Sequence, residues 1–335
     1  MNKLIDVSVV VIGRNEARRL SRCLESVQKS VWNDLRWELI YVDSHSTDES
    51  PQIAQQCGAR VLRLGDVPPS AAAARNLGWR AARGELILFL DGDTQLAQRF
   101  IVQAIPSLTS PEIVAVWGHR RELDPAQSIY TQVLDLDWIF APGSSDYFGG
   151  DVLVRRAALA EVGGFDDQLV AGEEPELCRR LRAQGGKILH VDLPMTKHDL
   201  GIRSARSWWT RAERAGLAYA QVAARYARTA DPLWLRESRR NIVHGMGLLF
   251  LPWLGLAVLT TSATLGAVMG VVLLLVWARS ARRCAWKCPQ NRRLAWAYAA
   301  HSHCQQIPIL IGQLRWWRLQ RQRKIPQLFE YRTPE

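Results

Sequence analysis

The chain has 335 residues and a net charge of +11, divided unevenly: residues 200–335 carry 21 Lys and Arg, 5 Asp and Glu, and 9 of the 14 Trp, whereas residues 1–199 carry 22 basic and 27 acidic residues. A basic, Trp-rich half suits an anionic membrane surface, and no nucleic-acid motif accompanies it, so nucleic acid is set aside as a partner. The six cysteines, Cys23, Cys57, Cys178, Cys284, Cys288 and Cys304, give no disulfide framework, and no repeat or low-complexity segment stands out.

In chain order, a first apolar strand over residues 7–12 opens onto Gly13-Arg14-Asn15-Glu16, and a helical pattern follows near 17–29. A second strand over 37–42 runs into Asp43-Ser44-His45-Ser46-Thr47-Asp48, and the helix after it, near 48–58, takes Thr47 or Asp48 as its N-cap. A third apolar run, Leu86-Ile87-Leu88-Phe89-Leu90, ends in Asp91-Gly92-Asp93-Thr94. Strand–helix alternation predicts a parallel sheet with helices on both faces, and ligands of such sheets bind at the carboxyl ends of the strands. All three polar clusters belong there. In an extended chain residues i and i+2 point the same way, so Asp91 and Asp93 face one point, and Gly92 lets a ligand approach the backbone. Two hard oxygen ligands suit Mg²⁺ or Mn²⁺ carrying phosphates. A plain Asp-Gly turn closing a strand is the competing reading of the same residues.

Four blocks in this order, Ser8 to Glu16, Val42 to Asp48, Ala73-Ala74-Arg75-Asn76-Leu77-Gly78 and Asp91-Gly92-Asp93, resemble glycosyltransferase family 2. Further blocks follow: Gly149-Gly150-Asp151 and Gly163-Gly164-Phe165-Asp166, then Gly172-Glu173-Glu174-Pro175-Glu176-Leu177, similar to the acceptor-side acidic motif, and Met195-Thr196-Lys197-His198-Asp199. The resemblance spans about residues 6 to 215 and implies an α/β GT-A nucleotide-sugar-binding fold with a mostly parallel central sheet. It implies that Asp43 binds the base of a UDP- or GDP-sugar with Glu16 beside it, and that Ser46, Arg75, Asn76 and Asp91 line the donor. Locally, Asp43 reads equally as a cap of the next helix. The candidate metal set is Asp93, Asp91 and His198: Asp93 binds a divalent metal (Mg²⁺ or Mn²⁺) directly, Asp91 reaches the nucleoside or the metal's surroundings, and His198 is a third ligand. Family members usually place Glu-Asp where this chain has Glu173-Glu174, so Glu174 takes the position of the general base and Glu173 stands beside it. An acidic first helical turn is the structural alternative for both. Arg211 and Arg214 fall where polysaccharide-making relatives carry a diphosphate-binding element, although the surrounding match is poor.

Residues 242–278 are almost free of charge. One straight helix over them would be ~50 Å long, too long for a bilayer core, so two helices broken near 260–264 are expected. Arginines flank both ends, Arg236, Arg239 and Arg240 before, Arg279, Arg282 and Arg283 after, which favours a hairpin with both ends in the cytoplasm. A buried helix pair of a soluble domain is the alternative. Residues 294–319 are expected as an amphipathic interfacial helix that Pro308 kinks or breaks. The spacing of Cys284, Cys288, His301, His303 and Cys304 is not that of a familiar zinc finger. The chain opens directly on a strand with no apolar leader, so the catalytic segment is expected in the cytoplasm. The expected organisation is a catalytic domain over 1–215, a basic amphipathic linker helix over 216–241, a membrane hairpin over 242–278 and a basic interfacial segment over 279–335. The function expected is inverting transfer of a sugar from a nucleotide sugar to a lipid-linked or polysaccharide acceptor at the membrane. A non-catalytic scaffold of the same fold is the alternative; a dinucleotide oxidoreductase is set aside because no G-x-G-x-x-G follows the first strand.

Overall fold

The first strand, β1 (Val7–Gly13), is buried along nearly its whole length, as a central strand covered by helices on both faces must be. The computed structural model describes residues 5–323, and they form two compact units. One holds the residues up to Leu123 together with Trp138–Leu200; the other holds Asp124–Asp137 together with the residues from Gly201 on. The sequence reading divides the chain at 215. The units divide at 200, because the long helix after that point packs with the later helices.

In chain order the first unit runs β1, α1 (Ala17–Gln28), β2 (Trp37–Asp43), α2 (Ser50–Gln56), β3 (Arg60–Arg63), α3 (Ala71–Ala81), β4 (Leu86–Asp91), β5 (Thr94–Leu96), α4 (Phe100–Ala104) and β6 (Ile113–Glu122). The chain then enters the second unit for α5 (Ile129–Asp135) and returns for β7 (Gly143–Ser144), β8 (Val152–Arg155), α6 (Arg156–Glu161), α7 (Glu173–Ala183) and β9 (Lys187–His198). The sheet order is β3-β2-β1-β4-β8-β6-β9-β5, with β7 on β9. β1, β2, β3, β4, β6 and β9 run one way and β8, β5 and β7 the other. The sheet is therefore largely parallel.

Register positions the site. β1 pairs with β2 so that Gly13 stands opposite Asp43, and with β4 so that Ile12 stands opposite Asp91. Three strand ends thus finish level, at the point where the strand order reverses from β1 toward β4. Helix α3 sits close under β1 and β2 because Gly78 faces them; a Cβ there would run into Val10. Ser70 caps that helix, accepting the Ala73 N–H at 3.0 Å. The expected cap of α2 differs. The cap position is Glu49 without a side-chain bond, while Asp48 accepts both the Ser50 N–H and the Ala17 N–H at 3.0 Å, joining the starts of α2 and α1.

The second unit is helical: α5, then α8 (Ala205–Tyr226), α9 (Leu235–Thr261), α10 (Ala263–Cys284), α11 (Arg292–Cys304) and α12 (Gln306–Arg321). Gly216 of α8 and Gly312 of α12 face each other's helix, where a Cβ on either would strike the backbone of Ile309 or Glu213. The close crossing buries Ile309, Leu310, Gln313 and Trp316. Residues 294–319 are thus two helices rather than one interfacial helix, and α12 is a packed element. Pro308 sits in the first turn of α12, where a missing N–H costs nothing. The expected break at 260–264 is Ser262, which is extended, ends α9 and caps α10 through the Leu265 N–H. Both helices are long and apolar enough to cross a membrane. At 27 and 22 residues they reach ~40 and ~33 Å, longer than the short arms the sequence suggests. Their side chains face outward: Val243 is 73% exposed, Trp253 71% and Leu275 62%.

Candidate active site

The level strand ends carry the residues expected to line the donor. Asp43, 3% exposed, accepts the Ser46 N–H at 3.1 Å. It closes its own loop and does not cap α2. Ser46 Oγ accepts the Asn15 N–H at 2.9 Å, and Asn15 Oδ1 accepts the Thr47 N–H at 2.8 Å. The loops after β1 and β2 are thereby tied together. Asn15 and His45 both hold left-handed backbone (φ 55° and 61°), a strain found where the surrounding structure fixes a functional loop. Glu16 is buried, its N–H bonded to Ser50 Oγ and its carboxylate to Arg19 Nε at 2.9 Å.

Arg75 is the hub of the site. It is 2% exposed, and α3 carries it under the end of β4. Its Nη2 meets Asp91 Oδ1 at 2.9 Å, and its Nη1 meets Glu173 Oε1 at 3.0 Å and Glu174 Oε1 at 3.2 Å. Phe165 lies on the guanidinium, 5.4 Å from ring centre to Cζ. Gly150 has to be glycine: a Cβ would stand 2.5 Å from Asp91 Oδ2 and 2.8 Å from Arg75 Nη2. Asn76, next in sequence, points elsewhere. Its Nδ2 donates to Phe165 O at 2.8 Å, and its Oδ1 accepts from Phe165 N and Trp79 Nε1. Three bonds hold the amide, which is 2% exposed, so Asn76 braces the 163–166 turn, in place of the expected donor contact.

Asp91 is held on both oxygens, by Arg75 and by Arg120 Nη2 at 3.3 Å on Oδ2. Burial raises its pKa, but the two guanidiniums outweigh that and keep the carboxyl well below the usual range. Asp93, 6% exposed, lies with His198 Nε2 at 2.9 Å from its Oδ2. Ligand atoms of Asp91, Asp93 and His198 all fall within 4.8 Å of one another. Two adjacent ligands of an octahedral ion with bonds of ~2.1 Å stand ~3.0 Å apart, so the Asp93–His198 spacing fits an ion. The charge balance fits too, with Asp91, Asp93, Asp151, Glu173 and Glu174 set against Arg75 and Arg120. Asp91, with both oxygens engaged, is the weakest member of the expected metal set.

The acceptor-side pair opens α7 behind Gly172, whose φ of 83° only glycine adopts freely. Burial, then the charge of Glu173, pushes the Glu174 carboxyl up to about 7, against the pull of Arg75. A carboxylate with that proton affinity is suited to general-base work near neutral pH. Glu176, two residues on, is occupied by Arg180 at 2.6 Å, which also ties α7 to the carbonyls of Val162 and Gly164.

Arg120, Asp151 and Trp138 escape the sequence reading as members of this cluster. A shift in the β6–β9 register around His119 sets Arg120 opposite Thr196 and Glu122 opposite His198, which turns Arg120 inward. The visible signal was a polar residue at alternate positions, Arg120 and Glu122, continuing a buried strand, but an irregular register hides its phase. Arg211 and Arg214 belong to the second unit, on α8, where Arg211 acts on half-buried Asp137.

Two features together, a largely parallel sheet with an Asp-x-Asp at its switch point and an acidic helix start, are those of the GT-A fold. Residues 8–159 match the model of the family described as "Glycosyl transferase family 2". The chain is 27% identical over 299 residues to the pre-mycofactocin glycosyltransferase of Mycobacterium tuberculosis (84% of this chain, 58% of the relative). It is 22% identical over 224 residues to the beta-monoglucosyldiacylglycerol synthase of Nostoc sp. (62% of this chain, 47% of the relative). The chain thus spans about half the length of these curated relatives. Among solved structures, the mannosyltransferase PcManGT of Pyrobaculum calidifontis, in complex with GDP-Man and Mn²⁺, superposes with a TM-score of 0.67 at 18% identity, covering 93% of this chain and 88% of that one. TarS 1-349 of S. aureus in complex with UDP gives 0.51 at 15%, covering 93% and 91%. Both likenesses concern the fold.

Proposed function

We propose that the chain is an inverting, metal-dependent hexosyltransferase that moves a sugar from a UDP- or GDP-sugar to a lipid-linked or membrane-proximal glycan acceptor at the cytoplasmic membrane face. The observation that carries this is the Glu173–Glu174 pair, bridged by one buried arginine to the Asp91–Asp93–His198 group. Asp43, Glu16 and Ser46 receive the nucleoside. Asp93 and His198 hold the divalent ion, with Asp91 beside them; when bound, the ion offsets the charge of the leaving diphosphate. Glu174 takes the proton of the acceptor hydroxyl. The hydroxyl oxygen bonds to the anomeric carbon from the face opposite the diphosphate, the bond from that carbon to the diphosphate oxygen breaks, and the nucleoside diphosphate leaves. A single displacement of this kind inverts the anomeric centre.

The acceptor assignment rests on the outward apolar faces of α9 and α10 and on the arginines at their ends. Positive flanks favour the cytoplasmic side. The named activity of the Nostoc relative is consistent with a lipid acceptor. A non-catalytic scaffold would not need a carboxylate of raised proton affinity beside a fitted metal group. The test is a panel of UDP- and GDP-sugars with and without Mn²⁺, read by thermal unfolding and by release of nucleoside diphosphate. A Mn²⁺-dependent stabilisation and turnover by one sugar is expected; turnover of none of them would overturn the reading.

A further inference from the structure

Two guanidiniums are buried beside one carboxylate. Arg75 and Arg120 are 2% and 5% exposed and take the two oxygens of Asp91 separately. Burying each guanidinium carries a desolvation cost, and Arg75 alone is shared among Asp91, Glu173 and Glu174, so the free oxygen of Asp91 falls to Arg120. Arg120 is also fixed from further sides. Its Nε faces Asp151 Oδ2 at 3.5 Å, and its guanidinium lies 4.3 Å from the centre of the Trp138 ring. Asp151 is itself held, accepting Thr196 Oγ1 at 2.7 Å and the Asp91 N–H at 3.1 Å. Because Arg75 spends its other nitrogen on Glu173 and Glu174, an unbroken chain of charge runs Arg120–Asp91–Arg75–Glu174.

We propose that Arg120 is a positioning residue for the acceptor side of the reaction: by holding Oδ2 of Asp91 it fixes Arg75, and Arg75 fixes the Glu173–Glu174 pair. This rests on the assignment of Glu174 as the base. Without Arg120, one guanidinium is left to satisfy both oxygens of Asp91. Arg75 is drawn toward them and its hold on Glu174 loosens. A positive charge also leaves the surroundings of Glu174. Both changes favour the protonated carboxyl. The ionisable groups facing Glu174 are Glu173 and Cys178 on α7, Arg75 from α3, Asp91 from β4 and Arg120 from β6, and only the last is altered.

The experiment compares Arg120→Gln with the full-length parent. Infrared difference titration follows the Glu174 carboxyl, its band assigned by loss in Glu174→Gln. The pH profile of UDP-glucose and GDP-mannose turnover with Mn²⁺ is read alongside. The midpoint and the acid limb should move up together by about half a unit or more. Turnover at pH 7 should fall about twofold for a half-unit shift and further for a larger one, with UDP and GDP affinity held within about twofold. Arg120→Lys keeps the charge and should restore at least half of the shift. Should Arg120→Gln not fold, Trp138→Leu removes the stacked ring and should move the midpoint the same way by less. An unmoved midpoint in the folded variants overturns the proposal; so does an unmoved midpoint with lost nucleotide affinity, which makes Arg120 a donor contact. If the parent turns over no nucleotide sugar, the transferase reading fails, while the carboxyl titration still decides whether Arg120 acts through Arg75.

Discussion

The two units solve opposite problems with the same helices and charges. In the first unit apolar residues are inside, and one buried cluster of charges holds Arg75 and Arg120 each against carboxylates. In the helical unit Gln313 bonds Ser238 in the interior and half-buried His303 lies between His244 and Ser280, while Leu, Val and Trp of α9 and α10 face out. An inward-facing core answers to water, and an outward-facing apolar surface answers to lipid. The difference agrees with the two roles proposed above: chemistry in a charged cleft, and attachment through apolar faces that the described residues leave largely uncovered.

The sharpest way to break that comparison is to disable each region and ask whether the other survives. Asp93→Asn removes a buried carboxylate of the candidate metal group and should abolish Mn²⁺-dependent nucleotide binding and transfer. The protein should still resist alkaline carbonate extraction from membranes. The converse pair, Leu256→Arg with Leu274→Arg, puts charge on the exposed middle of α9 and α10, at roughly 2.5–3.5 kcal/mol each at a bilayer centre. That variant should be released by carbonate yet keep nucleotide binding. Full transfer by Asp93→Asn would remove the metal assignment. Carbonate release of the unaltered protein would make the hairpin a surface or core element.

The next largest effect concerns the acceptor side. Glu174→Gln should lower transfer by roughly 10²–10⁴-fold while donor affinity persists, because the donor contacts come from the other strand ends. Glu173→Gln should cost less, since its role is to share Arg75 and raise the proton affinity of its neighbour. The two mutants, each measured for rate and donor affinity, decide the assignment: a mild Glu174→Gln beside a dead Glu173→Gln shifts the base by one residue.

A pH profile sharpens the same point with a smaller effect. The base works ionised, and the Glu174 carboxyl sits at about 7 in the folded free protein. Below that value it is protonated, so kcat/KM should drop toward tenfold per unit as pH falls, and level off above it. In Glu173→Gln the neighbouring charge is gone and the limb should move to lower pH. A limb that stays in place in that mutant would show that burial alone sets the proton affinity.

Much of this was legible in the residues. Apolar runs ending in Asp43 and Asp91, with helical periodicity between, placed the strands and the cleft, because local pattern and tertiary need agree in central parallel strands. The uncharged stretch 242–278 with its Ser–Thr break marked the hairpin for the same reason. What was hidden depended on contacts distant in sequence. Arg120 is turned inward only by an irregular register against β9. Asn76 stands in a donor-side motif but is consumed by Phe165 and Trp79. The burial of α12 depends on Gly216 and Gly312 letting two backbones meet, and nothing in the pattern of residues 294–319 distinguishes a face that meets protein from one that meets lipid.

The smallest expected effect tests the rim of the outward-facing region. Arg239 and Arg240 near the start of α9, and Arg282 and Arg283 near the end of α10, are exposed. They flank the apolar stretches from both sides, where an anionic leaflet surface would lie. A basic side chain near such a surface contributes about 1 kcal/mol, so a single Arg240→Gln should weaken partition onto vesicles containing phosphatidylglycerol by about fivefold. Binding to pure phosphatidylcholine vesicles should be unchanged, since the apolar faces of α9 and α10 are untouched. The gap between the two vesicle types should close as salt rises, because exposed charges are screened within about 10 Å at 0.1 M. The same substitution at Arg80, exposed on α3 of the catalytic unit, should change neither. Equal losses for Arg240→Gln and Arg80→Gln would mean that overall charge, and not the rim of the hairpin, draws the protein to the membrane.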